Sequence, residues 1–416
     1  AGPRLSAEAR SALNLRQGEA AEGSSNRSNV SWLERGRDIK VYVYKLPGGD
    51  VLGNEKLAPN YQFEAAFRRL IEGSRRHRVA RPELADYFYV PVDMCSTRAE
   101  MWMRRDKQKK MNELDKRVVK ALRAVGPYWD RLPERHIVPS CRCPVVGGQE
   151  DTLNPELWGR NTTLRLCVQT LVTRKKRIEV LDHRRSIHVG YSMPGSETEP
   201  ELPPEPRGRD LLAVFMGNPF NTYRKQVVAW MNESCKDCLA ISIAKHGVLP
   251  KEKEATYHAA LRRTRFSIEP PGDTLERASR DASILAGAVP VLFELPGGLP
   301  RQSLPWAPLL DWPRFSVNFT LLPEEVYGNQ SFAPRLEALL RGLVASGEAD
   351  QLYRGVVEAR ARTSWTEDGA LSTVMGMLAA RGEAGRQASG ERTPRLKSEA
   401  LGRSSSVQAV ALPRHW

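Results

Sequence analysis

The sequence predicts an α/β fold with two domains, each built around a parallel sheet. A β-branched and aromatic run at residues 39–44 is followed by apolar residues at helical spacing at 63–71 and by a second strand-like run at 85–91. This strand, helix, strand order is typical of parallel sheets, and it starts again near residue 210. A chain of 416 residues has room for two or three domains, and we expect two.

The composition is that of a globular protein with an excess of positive charge. The chain has 63 Lys and Arg against 49 Asp and Glu, a formal net charge of +14, and 41% hydrophobic residues. These values exclude a collagen-like, a wholly disordered or a multi-span membrane protein. The charge predicts a surface that attracts anions such as nucleotide phosphates, acidic glycans, anionic lipid or nucleic acid. Because the chain starts at Ala1 without a signal-like apolar run, we expect any targeting segment to lie outside it.

The first half predicts a stem and one domain. Residues 1–37 are rich in Ala, Gly, Ser and Arg and predict a flexible stem, followed by an α/β domain at 38–194. Between Arg104 and Arg123 basic residues surround an apolar stripe with helical spacing. This predicts an amphipathic helix whose outer face is either solvated or in contact with a polyanion or acceptor. A Pro- and Glu-rich segment at 195–208 predicts the linker.

The second half predicts another α/β domain at residues 209–335. We expect strands at 210–215, 265–268 and 289–293, one helix from about Tyr223, and a further helix between the last two strands. The remaining segments are predicted as C-terminal helices at 336–381 and a disordered tail at 382–416.

Glycosylation motifs and cysteines predict an oxidising, secretory compartment. Six Asn-x-Ser/Thr motifs exceed the one or two that chance would give, at Asn26, Asn29, Asn161, Asn232, Asn318 and Asn329. Six cysteines form an even set that is compatible with three disulfides, at Cys95, Cys141, Cys143, Cys167, Cys235 and Cys238. The close pairs could instead be halves of zinc sites, but no His lies at a metal-like spacing, so we favour disulfides.

The segment 265–291 carries the pattern with the most chemistry. A Pro-Pro-Gly turn at 270–272 follows a strand, and Asp273 or Thr274 is predicted to cap the next helix, with Arg277 in its first turns. Helix-terminal N–H groups beside an arginine favour an anion such as a diphosphate. In open α/β sheets such ligands bind beyond the carboxyl ends of the strands.

Two carboxylates accompany this arginine. Asp281 lies four residues after Arg277 and could accept a ribose hydroxyl or pair with Arg277; the alternative is an exposed i,i+4 pair without further function. Glu269, at the end of the strand, could bind a ribose or donor-sugar hydroxyl, or could only stabilise the turn.

The same segment resembles the signature of the exostosin-type glycosyltransferases, particularly their plant and algal branch. In that signature a strand ends in a Pro-Pro-Gly-Asp turn, an Arg and an Asp follow in the helix, and a Gly-x-x-Pro-Val strand closes the unit. Roughly residues 39–375 resemble the family, with further landmarks in family order at Val41–Pro47, Tyr61–Glu64, Pro82–Pro91, Pro127–Arg131, Phe215–Gly217, Arg224 and Asp311–Val317.

The resemblance implies a GT-B fold, in which two Rossmann-like domains face a cleft. The nucleotide-sugar donor would bind the C-terminal domain and the acceptor glycan the N-terminal one, with β-linked products formed by inversion. Such enzymes are type II membrane proteins of the Golgi apparatus or endoplasmic reticulum, so an anchor would precede Ala1. The chain departs from the family pattern at Ser267 and Ala288, where cysteines are common, and after His136, where we expect a divergent acceptor.

Transfer needs neutralisation of the departing nucleoside diphosphate and a base for the acceptor hydroxyl. No Asp-x-Asp motif occurs, so we expect metal-independent activity without a cofactor. The base is expected to be Asp93, with His136 and Glu64 as alternatives. The predicted donor-binding residues are Gly217, Asn218, Arg224, Glu269, Pro271, Gly272, Asp273, Thr274, Arg277 and Asp281, with Arg277 also counted as catalytic.

Three other classes of protein are alternatives to a glycosyltransferase. A catalytically inactive glycan-binding protein of the same fold is the strongest alternative, because of the changed stretch after His136. A nucleic-acid-binding protein is disfavoured because the basic residues are dispersed without a recognised motif, and a dinucleotide-dependent oxidoreductase because no Gly-x-Gly-x-x-Gly follows a strand. The sequence leaves open the sugar, the acceptor in polysaccharide or protein glycosylation, and whether the chain forms homo- or hetero-oligomers.

Overall fold

A computed structural model describes most of the chain. The described residues are 32–46, 62–93, 107–143, 157, 163–169, 185–192, 205–243, 251–270, 272, 276–294, 304–306, 309–326 and 330–389.

Six parallel strands form the first sheet, in the order β2-β1-β3-β4-β5-β6. They are β1 (Val41–Val43), β2 (Arg78–Val79), β3 (Tyr87–Tyr89), β4 (His136–Arg142), β5 (Leu164–Gln169) and β6 (Ser186–His188). Helix α1 (Phe63–Gly73) connects β1 to β2, and α2 (Lys107–Val125) lies between β3 and β4. We call this sheet with its two helices the first unit.

Alternating strand residues bury both faces of the first sheet. Val41 and Val43 pack in one cluster with Phe67 of α1, whereas Tyr42 packs in another with Val118 of α2. Side chains of a strand point to opposite faces in turn, and a parallel sheet is covered by helices on both. The aromatic and β-branched run therefore becomes a central strand.

Five parallel strands form the second sheet, in the order β11-β10-β9-β7-β8. They are β7 (Leu211–Gly217), β8 (Cys238–Ser242), β9 (Thr264–Glu269), β10 (Val289–Glu294) and β11 (Val317–Thr320). Its helices are α3 (Thr222–Glu233), α4 (Lys251–Arg263) and α5 (Ala278–Leu285). We call these elements the second unit.

Both sheets begin with the doubly wound 2-1-3 order. The direction of winding reverses between β1 and β3 in the first sheet and between β7 and β9 in the second. Such switch points open a crevice at the carboxyl ends of the strands, where ligands bind in this architecture. The expectation of an α/β fold with two Rossmann-like units, as in GT-B proteins, is confirmed.

The C-terminal helices return to the first unit. They are α6 (Ala333–Ser346), α7 (Glu348–Thr363) and α8 (Ser372–Ser389), with a π-helical turn at Glu367–Leu371. Trp365 Nε1 donates to the carbonyl of Tyr191 at 3.2 Å, and Ser74 Oγ donates to Glu367 Oε1 at 2.6 Å. Short helical turns also occur at Pro82–Leu84, Tyr128–Arg131, Pro133–Arg135, Pro206–Gly208, Trp312–Arg314 and Pro323–Val326.

Two predicted segment ends differ from the structure. Residues 32–36, predicted as part of the stem, are helical, because Trp32 and Leu33 pack against the core. Helix α8 continues to Ser389, past residue 382, where the disordered tail was predicted to begin. Of the predicted linker, the structure describes only residues 205–208, which include a 3-10 turn.

The described cysteines include two pairs at disulfide distance, Cys143 with Cys167 at 2.15 Å and Cys235 with Cys238 at 1.99 Å between the sulfurs. Two glycosylation motifs lie in the described residues, and both asparagines are exposed: Asn232 on α3 and Asn318 on the edge strand β11. The motifs at Asn26, Asn29, Asn161 and Asn329 lie outside the described residues. Among the described helices, none is long and apolar enough to cross a membrane.

Candidate functional site

Arg277 begins helix α5 rather than lying inside it. The helix starts at Ala278, and Arg277 is its N-cap residue, with extended backbone angles (φ −140°, ψ 126°) and no side-chain cap hydrogen bond. The prediction that Asp273 or Thr274 caps the helix and that Arg277 follows in its first turns is therefore wrong. Since the N-cap backbone is extended, the Arg277 side chain can turn back toward the ends of the strands.

The Arg277 guanidinium joins the two strands of the second switch point. Its Nε donates to Glu269 Oε2 at 2.9 Å, its Nη1 to the carbonyl of Pro270 at 3.1 Å, and its Nη2 to the carbonyl of Met216 at 2.6 Å. Met216 belongs to β7, and Glu269 ends β9. Arg277 is 9% exposed, so these bonds hold it in a mostly dry site.

Glu269 is a fully buried carboxylate that positions this arginine. It accepts from Ser267 Oγ at 2.6 Å, from Ser279 Oγ and from Arg277 Nε. A buried carboxylate is stable only when it is paired and hydrogen-bonded in this way. The structure therefore gives Glu269 a supporting role at the turn, and its predicted contact with a sugar hydroxyl stays a prediction.

Arg224 reaches the same point from helix α3. Its Nη1 donates to the carbonyl of Asn218 at 3.2 Å and its Nη2 to the carbonyl of Pro270 at 3.4 Å. Asn221 caps α3 by accepting from the Arg224 backbone N–H at 2.9 Å, which fixes where the side chain starts. Arg224 and Arg277 thus donate to one carbonyl oxygen and bring two positive charges together at the switch point.

Two neighbours shape this pair of arginines. A Cβ on Gly217 would lie 2.8 Å from the Phe215 ring and 3.3 Å from Arg277 Nη2, so the glycine leaves room for the guanidinium. The Arg224 guanidinium lies over the ring of Phe220 at 5.0 Å, and Phe220 is 47% exposed. The sequence analysis missed Phe220, although it lies only two residues after Asn218, which was predicted to bind the donor.

Asp281 lies at the junction of the two units and does not pair with Arg277. Its Oδ2 accepts from the backbone N–H of Tyr191 at 3.0 Å. Burial is the main cause that raises the pKa of Asp281 to about 6. Asp281 and Arg277 are both buried, so the alternative of an exposed i,i+4 pair is wrong, and the predicted contact of Asp281 with a ribose hydroxyl remains untested.

The junction also holds a buried pair that the sequence analysis missed. His188 Nε2 lies 3.3 Å from the carbonyl of Val168 and 4.0 Å from Glu276 Oε1. His188 ends β6 of the first unit, whereas Glu276 directly precedes Arg277. No local pattern reveals such a pair, because its members are far apart in the sequence.

The first-choice base, Asp93, lies just beyond β3 at the switch point of the first sheet. It is 2% exposed, and Arg68 Nη1 donates to its Oδ2 at 2.9 Å. Glu64 is also buried. Burial first, and then the charges of Asp93 and Glu64, raise the pKa of Tyr89 well above its usual value. The two acids thus form a cluster in the first unit, whereas Arg277 lies in the second.

His136 lies away from both switch points. It begins β4, so it is at the amino end of that strand. Its Nδ1 lies 2.8 Å from the carbonyl of Leu132 and its Nε2 lies 2.7 Å from Tyr44 Oη. A carbonyl only accepts, so Nδ1 carries a proton and donates to Leu132, while Nε2 shares a hydrogen bond with the Tyr44 hydroxyl. The ring also stacks on Phe88, and this geometry favours a structural role for His136.

The rest of the predicted donor site is partly described. Gly272 and Asn218 are half-buried, whereas Pro271, Asp273 and Thr274 lie outside the described residues. In the described part of the chain, the group of possible metal ligands is Cys235, Asp237 and Cys238, at the other end of the second sheet.

Two doubly wound sheets, with paired arginines at the second switch point, define a two-unit α/β protein of the GT-B type. The exostosin GT47 domain matches residues 35–321, which include every strand of both sheets, so the chain belongs to the exostosin GT47 family. A probable glycosyltransferase of Arabidopsis thaliana is 26% identical over 335 residues, which are 79% of this chain and 58% of that relative. The chain thus spans little more than half the length of the curated relative.

Proposed function

We propose that this protein is a glycosyltransferase that moves a sugar from a nucleotide sugar, most simply a UDP-sugar, to a glycan or glycoprotein acceptor. The observation that carries the proposal is the convergence of Arg224 and Arg277 on the carbonyl of Pro270. Membership of the exostosin GT47 family and the printed name of the Arabidopsis relative support the same class of reaction.

Charge and geometry at the second switch point suit a diphosphate. Among the described residues, two guanidiniums meet at the carbonyl of Pro270 and one carboxylate, Glu269, pairs with Arg277, which leaves an excess of positive charge. A guanidinium has five N–H groups; the bonds of Arg277 use one on each nitrogen and leave one on Nη1 and one on Nη2 for phosphate oxygens. Charge-assisted hydrogen bonds of this kind are stronger than hydrogen bonds between neutral groups in a site that excludes water.

In the proposed reaction these arginines stabilise the leaving group. Negative charge develops on the nucleoside diphosphate as the bond to the sugar breaks, and fixed donors that already face this charge lower the barrier. Glu269 keeps Arg277 in place during this step, and the exposed ring of Phe220 offers a flat apolar surface beside Arg224 for the donor. Because two arginines supply the neutralising charge and no Asp-x-Asp occurs, the proposal includes metal independence.

The acceptor is proposed to bind at the first switch point, where its hydroxyl would attack the opposite face of the donor sugar with inversion. Asp93 remains the proposed base. Its Oδ2 is paired with Arg68, so the acceptor hydroxyl would have to reach the carboxylate beside this pair before Asp93 can take the proton.

We also propose the lumen of the Golgi apparatus or endoplasmic reticulum as the site of action. The exposed asparagines Asn232 and Asn318 are accessible to glycosylation, and the two cysteine pairs at disulfide distance suit an oxidising compartment. Anchoring by a segment outside this sequence is part of the proposal.

The test is a panel of UDP-sugars, with and without EDTA, scored for binding by calorimetry and for slow donor hydrolysis or transfer. We expect one responsive donor whose rate is unchanged by EDTA. Arg277→Gln and Arg224→Gln should each weaken UDP binding about tenfold or more and abolish turnover. Arg117→Gln is the matched control, because it removes the same charge from the exposed face of α2.

Folding has to be checked separately, since Arg277 ties two strands together. Circular dichroism and thermal melts of both variants serve this purpose. Folded Arg277→Gln and Arg224→Gln proteins that bind UDP as tightly as the Arg117→Gln control would rule out the proposed phosphate site. A rate that falls with EDTA and returns with a divalent ion would rule out metal independence.

A second candidate is a glycan-binding protein of this family without turnover. It is favoured by the contacts of the first-choice base and of one alternative, because Asp93 is paired with Arg68 and His136 is held by Tyr44. UDP binding that depends on Arg277, without hydrolysis or transfer of any donor, would support this candidate over the enzyme.

A further inference from the structure

A second charged pocket lies at the opposite end of the second sheet from Arg277. It has a volume of about 350 Å³ and is lined by Arg209, Asp210, Leu212, Asp237, Arg265 and Arg341. Strands β7, β8 and β9 begin here, and Arg277 lies at their carboxyl ends. A seven-residue strand such as β7 spans about 20 Å, so the pocket is separate from the proposed donor site.

The two acids of this pocket are already neutralised. Arg263 Nε donates to Asp210 Oδ1 at 2.9 Å, and Arg341 Nη2 donates to Asp237 Oδ1 at 2.8 Å. These hydrogen bonds hold the pKa of Asp210 and of Asp237 below the usual value. Neither carboxylate is therefore available to neutralise the remaining arginines of the pocket.

Arg265 lines the pocket without a counter-charge from the residues that the structure describes. Across the described ranges of the chain, its side chain has no hydrogen bond or ion pair, although it is half-buried. A half-buried guanidinium that keeps all its N–H groups unused loses hydration without compensation. Its position on β9, which is paired on both sides in the sheet, fixes where the side chain starts.

Arg209 is held rigidly beside it. The Arg209 guanidinium donates to the carbonyls of Leu261, Thr264 and Ala286, which lie at the ends of three elements. Burial, followed by the charges of Arg262 and Arg265, lowers the pKa of Arg209 to about 10. Positive charges therefore lie close together at this pocket, and a bound anion would reduce the repulsion between them.

We propose that this pocket binds an oxyanion, such as a carboxylate, phosphate or sulfate group, on Arg265 with Arg209 as its fixed neighbour. The volume is within the range of small-molecule sites and leaves room for the group that carries the anion, such as a sugar ring. Free inorganic anions and acidic sugars share this chemistry. The proposal does not depend on transferase activity, because the pocket lies away from the donor site.

The test measures binding of glucuronate, glucose and inorganic phosphate by calorimetry to the wild-type chain, Arg265→Gln and Arg265→Lys. Arg265→Gln should fold as well as the wild type, because the Arg265 side chain makes no bond with any described residue and its loss relieves repulsion. We expect saturable binding of at least one anion, none of glucose, and a loss of about tenfold in Arg265→Gln. Arg265→Lys keeps the charge and should lose less.

Arg117→Gln is the control for charge alone and should bind the anions like the wild type. Tighter binding of glucuronate than of phosphate would support an acidic sugar as the occupant, and equal binding would support a general oxyanion site. Soaking crystals with selenate should place anomalous density at Arg265. The proposal is overturned if neither anion saturates, or if Arg265→Gln binds as tightly as Arg117→Gln.

Discussion

The carboxyl of Asp281 lies in the contact between the two units, where one of its oxygens accepts from Tyr191. Its other oxygen, Oδ1, has no partner among the described residues, and neither has Trp306 Nε1. A Cβ on Gly190 would lie 2.4 Å from Asp281 Oδ1 and 3.1 Å from Trp306 Nε1. Only a glycine fits there, so the position of Asp281 depends on Gly190.

The pKa of Asp281 makes a pH-dependent contribution to stability. Its pKa is raised from 3.8 to about 6, by burial first and against the opposing charge of Arg280. Between these values the folded state holds a proton that the unfolded state has lost, so this contribution to the unfolding free energy falls as pH rises from about 4 to about 6. A difference of about 2 pKa units corresponds to about 3 kcal/mol.

Asp281→Asn should remove this contribution. We expect the unfolding free energy of the variant, minus that of the wild type, to rise by up to about 3 kcal/mol between about pH 4 and pH 7, as measured by urea denaturation. Asp311→Asn is the control, because Asp311 is exposed and its carboxyl stays in water. A pH-independent difference for Asp281→Asn would contradict the buried, titrating carboxyl.

At the scale of an element, helix α3 depends on its cap to present Arg224. Asn221 accepts from the Arg224 N–H, which satisfies one of the N–H groups that the first turn leaves without a partner. Asn221 therefore both stabilises the helix and fixes the position of Arg224.

Asn221→Ala should lower the unfolding free energy by about 1 kcal/mol and weaken UDP binding less than Arg224→Gln does. Asn221→Ser retains a capping oxygen and should keep both properties close to those of the wild type. Chemical denaturation and calorimetry measure the two effects. An alanine variant that is as stable as the serine variant would show that the cap contributes nothing.

Several elements followed directly from sequence periodicity, and others did not. The strands β1, β3, β7, β9 and β10 and helices α1, α2, α3 and α5 were predicted, because apolar and β-branched residues dominate the strands and helical spacing marks α1 and α2. Strand β8 and helix α4 were missed. The residues of β8 are mostly half-exposed, and α4 carries many charges, so neither has a strong apolar pattern.

At the scale of the whole molecule, one apolar cluster joins the two units. Val43 of the first sheet, Phe266 of the second and Trp365 after α7 belong to the same cluster. Trp365 is 1% exposed and packs against the rings of Phe63 and Trp306. The two sheets are therefore expected to unfold together rather than one after the other.

Trp365→Ala should lower the unfolding free energy by about 3–5 kcal/mol and separate the thermal transition into two. Trp365→Phe keeps most of the apolar contact and loses only the hydrogen bond to Tyr191, so we expect one transition with a smaller loss. Differential scanning calorimetry distinguishes these results. A single unshifted transition in Trp365→Ala would contradict the shared core.

The sequence alone determined the two α/β halves, the turn at 270–272 and the arginines beside it, because these depend on local spacing and turn chemistry. Only the tertiary structure decided which groups meet: Arg277 pairs with Glu269 rather than with Asp281, and Asp281 instead binds Tyr191 of the other unit. The tertiary structure also decided that His136 lies at the amino end of β4, away from both switch points. Which partner a buried charge finds depends on how distant segments pack, and local periodicity carries no information about that.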